Sequence, residues 1–136
     1  MAVIPGVYQL LIHTRRPKTI WVGALGQVGL VAGWYVYTGS ARNGLEQRVR
    51  RHLRHRKRRH WHIDYLLVVA DRVEAFVLPN TDLSECELHA RMRGRVLVPG
   101  FGSSDCGCES HLAYFARRPR IALIGWNHLV QDCLRY

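Results

Sequence analysis

The feature that most restricts the fold is a long uncharged stretch, residues 19–41, which lies between Lys18 and Arg42. Its length is close to the roughly 20 apolar residues that a membrane-spanning helix needs. Five glycines and a glutamine interrupt it, however, and basic residues flank both ends, so the charges give no membrane orientation. The stretch therefore predicts two strands, around 19–22 and 33–37, joined by a glycine-rich connection, and no contact with a membrane.

Short β-rich and helical patterns fill the rest of the chain. A helix is predicted after residue 41, because Leu45, Val49 and Leu53 recur every four residues, with Ser40 or Asn43 as its cap. A second helix is predicted from Asp82 to about Met92, with Leu83, Cys86 and Ala90 facing inward and Gly94 as its stop. The remaining extended segments are predicted at 6–13, 60–69, 74–78, 95–98, 111–116 and 121–124.

These patterns follow one another without a linker or an internal repeat. The sequence therefore predicts a single α/β (α+β) domain over residues 1–136, in which helices flank a small, mainly antiparallel sheet.

A dense basic run lies in the middle of the chain. Between Arg48 and His60 there are eight Lys/Arg residues and three histidines but no acid, so the rest of the chain carries only +2 of the formal +10 (10 − 8). Such a density of like charge favours a polyanionic partner, and we expect nucleic acid, DNA rather than RNA. The alternative is a solvated helical face. The residues expected to position the phosphate backbone are Arg50, Arg51, Arg54, Arg56, Lys57, Arg58 and Arg59.

The four cysteines, at positions 86, 106, 108 and 133, are too few and too unevenly spaced for a disulfide scaffold. No secretory signal pattern is found at the N-terminus, so a reducing, cytoplasmic compartment is expected. Cys86, Cys106, Cys108 and His111 could together form a tetrahedral structural zinc site. Buried free thiols and a disulfide from Cys86 to Cys106 or Cys108 are the alternatives.

Two tyrosine motifs precede the basic run. GVY at residues 6–8 and YTGSA at 37–41 are followed by L-x-x-R-x-x-R-H from Leu45 to His52. In this pattern the chain resembles the GIY-YIG nuclease superfamily. The wider series of motifs, from Gly6 to about Phe115, is similar to a branch of small stand-alone proteins whose relatives are sometimes fused to endonuclease III-like glycosylases. The separation of Tyr8 and Tyr37, 29 residues, is larger than is typical, so the tyrosines can meet only if the inserted segment forms its own strand or hairpin.

The resemblance implies a metal-dependent endonuclease that hydrolyses phosphodiester bonds in DNA or RNA, with DNA repair as one context. Arg48 would contact the scissile phosphate, and Tyr8 and Tyr37 would lie around the nucleophile, with Tyr35 as the fallback for the second tyrosine. A phenol is a poor base at neutral pH unless nearby cations lower its pKa, as the arginine helix could do. The alternative function is a non-catalytic nucleic-acid-binding module with the same fold.

The resemblance also implies one divalent metal ion, Mg²⁺ or Mn²⁺, held by a carboxylate on a later helix. Glu85 is preferred over Glu87 because Leu88 completes the Glu-x-x-Leu pattern of the family. Asp82-x-x-Glu85 could instead be a capping box, which would make Glu85 structural.

Four further side chains could transfer protons or orient the reacting groups. His60, His62 and Asp64 alternate along the predicted 60–69 strand and would share one face. They could equally form a hydrogen-bonded seam against the arginine helix, with Asp64 holding an arginine. His52 would contact phosphate or donate a proton.

Overall fold

A nine-residue strand, β1 (Gly6–Thr14), runs through the centre of the molecule in the computed structural model, which describes residues 4–54, 57–103 and 106–126. Almost every residue of β1 is buried, including those that point to opposite faces of the sheet, so both faces of this strand are covered. The predicted strand at 6–13 is confirmed.

Over the described ranges, the main sheet has five antiparallel strands. β1 lies between β4 (Gly33–Ala41) and β5 (Arg72–Pro79), and β6 (Leu112–Phe115) and β7 (Ile124–Gly125) pair with the outer sides of these neighbours. The mixed α/β fold with an antiparallel sheet is therefore as predicted. The strand expected to stop at Tyr37 continues to Ala41, because residues 38–41 pair with the first residues of β1.

The uncharged stretch forms strands. β2 (Lys18–Trp21) and β3 (Gln27–Leu30) make a separate hairpin around a short 3-10 turn, and β4 follows. Within the described residues, no helix has the length and hydropathy to cross a membrane. The chain leaves the main sheet at Thr14 and returns opposite it at Gly33, so the hairpin separates Tyr8 from Tyr37 along the chain without moving their strands apart.

Helix α1 (Leu45–Leu53) carries the basic residues and packs against β5, β1 and β4. Leu45 and Val49 are buried, as the four-residue spacing predicted. Its N-cap is Gly44, whose φ of 125° favours glycine, so the prediction of Ser40 or Asn43 as the cap is wrong. Ser40 belongs to β4 instead.

The segment predicted as a buried strand at 60–69 is a helix, α2 (His62–Val69). Its start is fixed by Asp64, whose carboxylate accepts hydrogen bonds from the backbone N–H groups of His60 and Trp61 at 2.8 and 2.9 Å. Ile63 and Leu66 then face the core, three residues apart. A short apolar run fits a buried helix as well as a strand, and here the acidic residue in the first turn decides.

Helix α3 (Glu85–Met92) packs against β4 and β6 and begins three residues later than predicted. The Ser84 hydroxyl caps it by accepting from the Glu87 N–H at 3.1 Å. Leu88 is its buried residue, whereas the prediction for Ala90 is wrong because Ala90 is exposed. The helix ends at Arg93, in a left-handed conformation, one residue before the predicted Gly94.

Candidate active site

A polar cleft of about 320 Å³ opens beside the N-terminal end of β1. Its lining comes from β1, β4, α1, α2, α3 and the loop before β6, and consists of Tyr8, Tyr37, Gly39, Ser40, Arg48, His60, Trp61, His62, Glu85 and Gly102. The two tyrosines, the arginine and the glutamate singled out from the sequence are all among these residues.

The two tyrosines reach the cleft from neighbouring strands. Tyr8 on β1 pairs with Gly39, two residues beyond Tyr37 on β4, so the two rings lie diagonally with centroids 6.4 Å apart. The hairpin that the sequence required between them is present. Tyr35 does not replace Tyr37, because its hydroxyl donates to the Val31 carbonyl at 2.7 Å.

Two glycines make room for the tyrosine rings. A Cβ atom at Gly39 would lie 2.5 Å from the Tyr8 hydroxyl oxygen, and one at Gly102 would lie 2.7 Å from Cε2 of Tyr37. Gly102 also has a φ of 70°, which favours glycine. Any side chain at these positions would therefore displace the rings from the cleft.

Burial raises the pKa of the Tyr8 hydroxyl well above its ordinary value of 10, and the neighbouring Arg48 lowers it only in part. Burial also raises the pKa of Tyr37, and the proximity of Tyr8 and Glu85 adds to this effect. The expectation that the arginine helix lowers the Tyr8 pKa is therefore wrong. Both phenols are therefore protonated at neutral pH, and the Tyr8 hydroxyl is hydrogen-bonded to His52.

Arg48 is held between a strand and an aromatic ring. One guanidinium nitrogen donates to the Ser40 carbonyl at 3.3 Å, and the guanidinium lies 4.5 Å from the centre of the Trp61 ring. Arg51 lies over the same ring at 4.3 Å. The rest of the Arg48 guanidinium faces the cleft, where a planar cation can bind a phosphate through two hydrogen bonds.

His52 lies behind Tyr8, and only 2% of its surface is exposed. Its Nε2 is 2.7 Å from the Tyr8 hydroxyl, whereas its buried Nδ1 has no hydrogen-bond partner within the part of the chain that the structure describes. Burial lowers the pKa of His52 to about 3, and the attraction of Asp64 offsets this only in part. The prediction of a phosphate contact is thus wrong, because the ring is covered and neutral. Its position allows it to orient Tyr8.

The other three polar candidates do not share one face, because their segment is helical. His60 is exposed on the cleft wall, and His62 accepts a hydrogen bond from the Gly102 N–H through Nδ1 at 2.9 Å. Burial lowers the pKa of His62. Asp64 is fully buried and binds Arg51 through both carboxylate oxygens, at 2.9 and 3.0 Å. The predicted role of Asp64 as an arginine partner is confirmed.

The side chains of Glu85 and Glu87 have different surroundings in the structure. Glu85 lines the cleft, and its side chain is 31% exposed. Glu87 points to the capping serine, whose hydroxyl donates to its carboxylate at 3.2 Å. The capping pair is Ser84 with Glu87, so the alternative in which Asp82 and Glu85 form a capping box is wrong. Among the described lining residues, Glu85 is the one with a carboxylate that faces the cleft.

The basic run divides into internal and exposed residues. Arg51 is bound to Asp64, and the Lys57 ammonium donates to the backbone carbonyls of Arg51 and His52 at the end of α1. Arg50 pairs with Glu46 at 3.0 Å on the helix surface. The exposed residues of the run without a described ion pair are Arg54, Arg58 and Arg59, and Arg56 lies outside the described residues.

A second cluster lies beside α3. The structure brings together one ligand atom from each of Cys86, Cys106, Cys108 and His111, all within 4.8 Å of one another, so the cluster could bind a metal ion. The three cysteines are free thiols. A hydrogen bond with Cys108, together with burial, raises the pKa of the Cys86 thiol to about 12.

Sequence reasoning missed Trp61 and Gly102. The Trp61 ring packs against the guanidinium groups of Arg48 and Arg51. Gly102 leaves space for the Tyr37 ring and donates its N–H to His62. A tryptophan beside a basic run is a weak signal for such a role, and the loop glycine has no signal until its φ is known.

Residues 7–129 match the family described as "Domain of unknown function DUF123". The chain belongs to this family. The match begins one residue before Tyr8 and includes every residue of the cleft and of the cysteine–histidine cluster, so both lie within the DUF123 domain. No curated protein and no solved structure matches the chain significantly.

Proposed function

We propose that this DUF123 protein is a GIY-YIG-type endonuclease that uses one Mg²⁺ or Mn²⁺ ion to hydrolyse phosphodiester bonds, in DNA rather than RNA. The observation that supports it best is the convergence of Tyr8, Tyr37, Arg48 and Glu85 on one cleft from four different elements. Phosphodiester hydrolysis needs a cation on the phosphate, an oriented water and help for the leaving oxygen.

The donors of the cleft suit Mg²⁺ or Mn²⁺. Among the described lining residues Glu85 supplies one partly exposed carboxylate, and Mg²⁺ commonly binds one or two carboxylates together with substrate phosphate and several waters. When bound, the ion would lower the pKa of a coordinated water and polarise the phosphate.

The protein's own residues would bind and orient the substrate. Arg48, fixed by Ser40 and Trp61, would hold the phosphate and compensate charge as it develops. The Tyr8 hydroxyl would donate to neutral His52, which leaves its oxygen free to accept a hydrogen bond from the attacking water. Tyr37 would donate a hydrogen bond to a phosphate oxygen.

A cleavage screen tests the proposal. Branched, flapped, damaged and single-stranded substrates are incubated with Mg²⁺ or Mn²⁺ and the purified protein. Arg48→Ala and Glu85→Gln should each reduce the cleavage rate by about 10²–10³-fold, the cost of removing one group that stabilises the transition state. Glu87→Gln, on the same helix but on the capping serine, should cleave like the wild type. Equal cleavage by the wild type and Arg48→Ala would indicate a contaminating nuclease and contradict the proposal.

A non-catalytic nucleic-acid-binding module is the second candidate. It is favoured by the pKa values in the cleft. The raised pKa values of the two phenols keep them protonated, and the lowered pKa of His52 makes its imidazole a weak base. Salt-sensitive binding without cleavage of any substrate would support this candidate over the first.

A further inference from the structure

The cysteine–histidine cluster joins three separate parts of the chain. Cys86 is the second residue of α3, Cys106 and Cys108 lie in the loop after Gly102, and His111 directly precedes β6. The His111 Nε2 atom is 3.2 Å from Sγ of Cys106 and 3.5 Å from Sγ of Cys86.

The two sulfur–nitrogen distances are close to those of a tetrahedral zinc site, and all four ligand atoms lie within 4.8 Å of one another. With Zn–S bonds of about 2.3 Å and Zn–N bonds of about 2.0–2.1 Å, neighbouring sulfur and nitrogen ligands lie about 3.6 Å apart and two sulfurs about 3.8 Å apart. Three thiolates are soft ligands and an imidazole also suits Zn²⁺, so the set favours Zn²⁺ over the Mg²⁺ or Mn²⁺ suited to the cleft. A disulfide would use only two of the three thiols and would leave the third beside it.

His111 connects the cluster to the cleft. Its side chain is only 1% exposed, and its Nδ1 atom has no hydrogen-bond partner among the described residues. Of the acids in the described ranges, Glu85 lies close to it, with its Oε2 3.7 Å from that nitrogen. A histidine that binds zinc through one ring nitrogen commonly donates the N–H of the other to a carboxylate, which orients both groups.

We propose that Cys86, Cys106, Cys108 and His111 bind one structural Zn²⁺ ion, and that His111 donates to Glu85 and so fixes this carboxylate in the cleft. The zinc site stands on its own geometry, whereas its effect on cleavage rests on the proposed function. Glu85 and Cys86 are adjacent in the first turn of α3, so holding the thiol also fixes the rotation of the helix and the direction of Glu85.

Metal analysis and native mass spectrometry of the purified protein test the zinc site. We expect one zinc per chain in the wild type, and its loss in Cys106→Ser and in Cys108→Ser. Cys133→Ser is the matched control, because it leaves all four proposed ligands in place, and it should keep the zinc. Substitution of Zn²⁺ by Co²⁺ in the wild type should give thiolate-to-cobalt charge-transfer bands. Because this measurement uses the wild type, it does not depend on whether a variant folds. Absence of zinc and of these bands, or a mass lower by two hydrogens from a disulfide, would overturn the site.

Competition with a chelator tests the link to Glu85. Glu85→Ala should weaken zinc binding by about 10–100-fold, the usual effect of losing the partner of a ligating histidine. Glu87→Ala should leave zinc binding unchanged, and equal affinity in both variants would overturn the link. Zinc binding without cleavage by the wild type would reject only the nuclease, and cleavage without bound zinc would reject only the zinc site.

Discussion

His52 is the residue whose environment differs most from what its sequence context suggests. It stands in the most basic segment of the chain, yet it is covered by Tyr8, Tyr37 and Trp61 and makes its hydrogen bond with a phenol. In the structure it is a buried, neutral histidine that is hydrogen-bonded to Tyr8.

The buried ring of His52 should make the fold sensitive to acid. The unfolded chain binds the proton with the ordinary pKa of 6.5, and the folded chain only near 3, so the unfolded state carries more protons between these values. As the pH falls through this window, His52 should cost about 1.4 kcal/mol of stability per pH unit. NMR of the imidazole should show no titration at mildly acidic pH. An ordinary titration midpoint near 6.5 would contradict the buried, neutral ring.

Residue roles in the cleft were predictable only where a motif carried them. Tyr8, Tyr37, Arg48 and Glu85 were assigned by resemblance, and all four line the cleft. Periodicity and charge could not show that His52 is buried, because its exposure depends on how α1 is turned towards β1. Nor could they show which glutamate caps α3, because Asp82 and Ser84 are both good N-cap residues.

At the scale of elements, Asp64 joins two helices. It fixes the start of α2 through two backbone N–H groups and holds Arg51 of α1. Burial raises the pKa of Asp64, but the hydrogen bonds from Arg51, His60 and Trp61 outweigh this and lower it overall. The carboxylate is therefore ionised in the folded protein.

Asp64→Ala should destabilise the protein by about 3 kcal/mol, because it leaves Arg51 without its buried partner and removes the acceptor at the start of α2. Urea unfolding followed by circular dichroism measures the change. Asp82→Ala, at an exposed acid before α3, is the control and should change stability by no more than about 0.5 kcal/mol. A wild-type unfolding midpoint for Asp64→Ala would show that the ion pair does not support the fold.

The error at α2 has a physical cause. HWHIDYLLVV contains β-branched and aromatic residues that favour strands, and its length fits both kinds of element. What distinguishes them is an acid placed three residues after Trp61, where it can accept from free N–H groups in the first turn of a helix. The strands at 6–13 and 74–78 had no such competing signal and were predicted correctly.

At the scale of the whole molecule, only part of the basic run is exposed. Arg51 and Lys57 are used within the fold and Arg50 is paired with Glu46, which leaves Arg54, Arg58 and Arg59 exposed without a described ion pair. In the proposed complex with nucleic acid, these arginines would contact phosphates and position the backbone without reading its sequence.

Replacement of these three arginines by alanine should weaken duplex binding and reduce the dependence of log K on log salt by about 0.9 for each lost phosphate contact. Fluorescence anisotropy over a series of salt concentrations measures this slope. Arg16→Ala serves as the control, because Arg16 is exposed beyond the opposite end of β1 from Tyr8. If Arg16→Ala weakened duplex binding as much as the triple variant does per replaced arginine, the binding surface would lie elsewhere.

The global arrangement was only partly predictable. The spacing of Cys106 and Cys108 is tighter than in common zinc motifs, and Cys86 is remote in sequence, so the cluster becomes clear only when α3 and β6 pack together. The pairing of the strands that carry Tyr8 and Tyr37 likewise depends on the β2–β3 hairpin. The glycines of this segment permit the hairpin, but they do not determine its shape.

The two sides of the cleft, formed by Tyr8 on β1 and by Glu85 on α3, differ in how easily they open locally. Tyr8 lies on the central strand, hydrogen-bonded on both sides and buried on both faces, so exposing it requires the sheet to come apart. Glu85 lies at the start of an eight-residue helix with Leu88 as its buried residue. Free energies of local opening rise with buried contacts, so the carboxylate wall separates at a lower cost than the tyrosine wall. The two walls of the cleft therefore differ in local stability, and a zinc ion bound through the neighbouring Cys86 would reduce that difference.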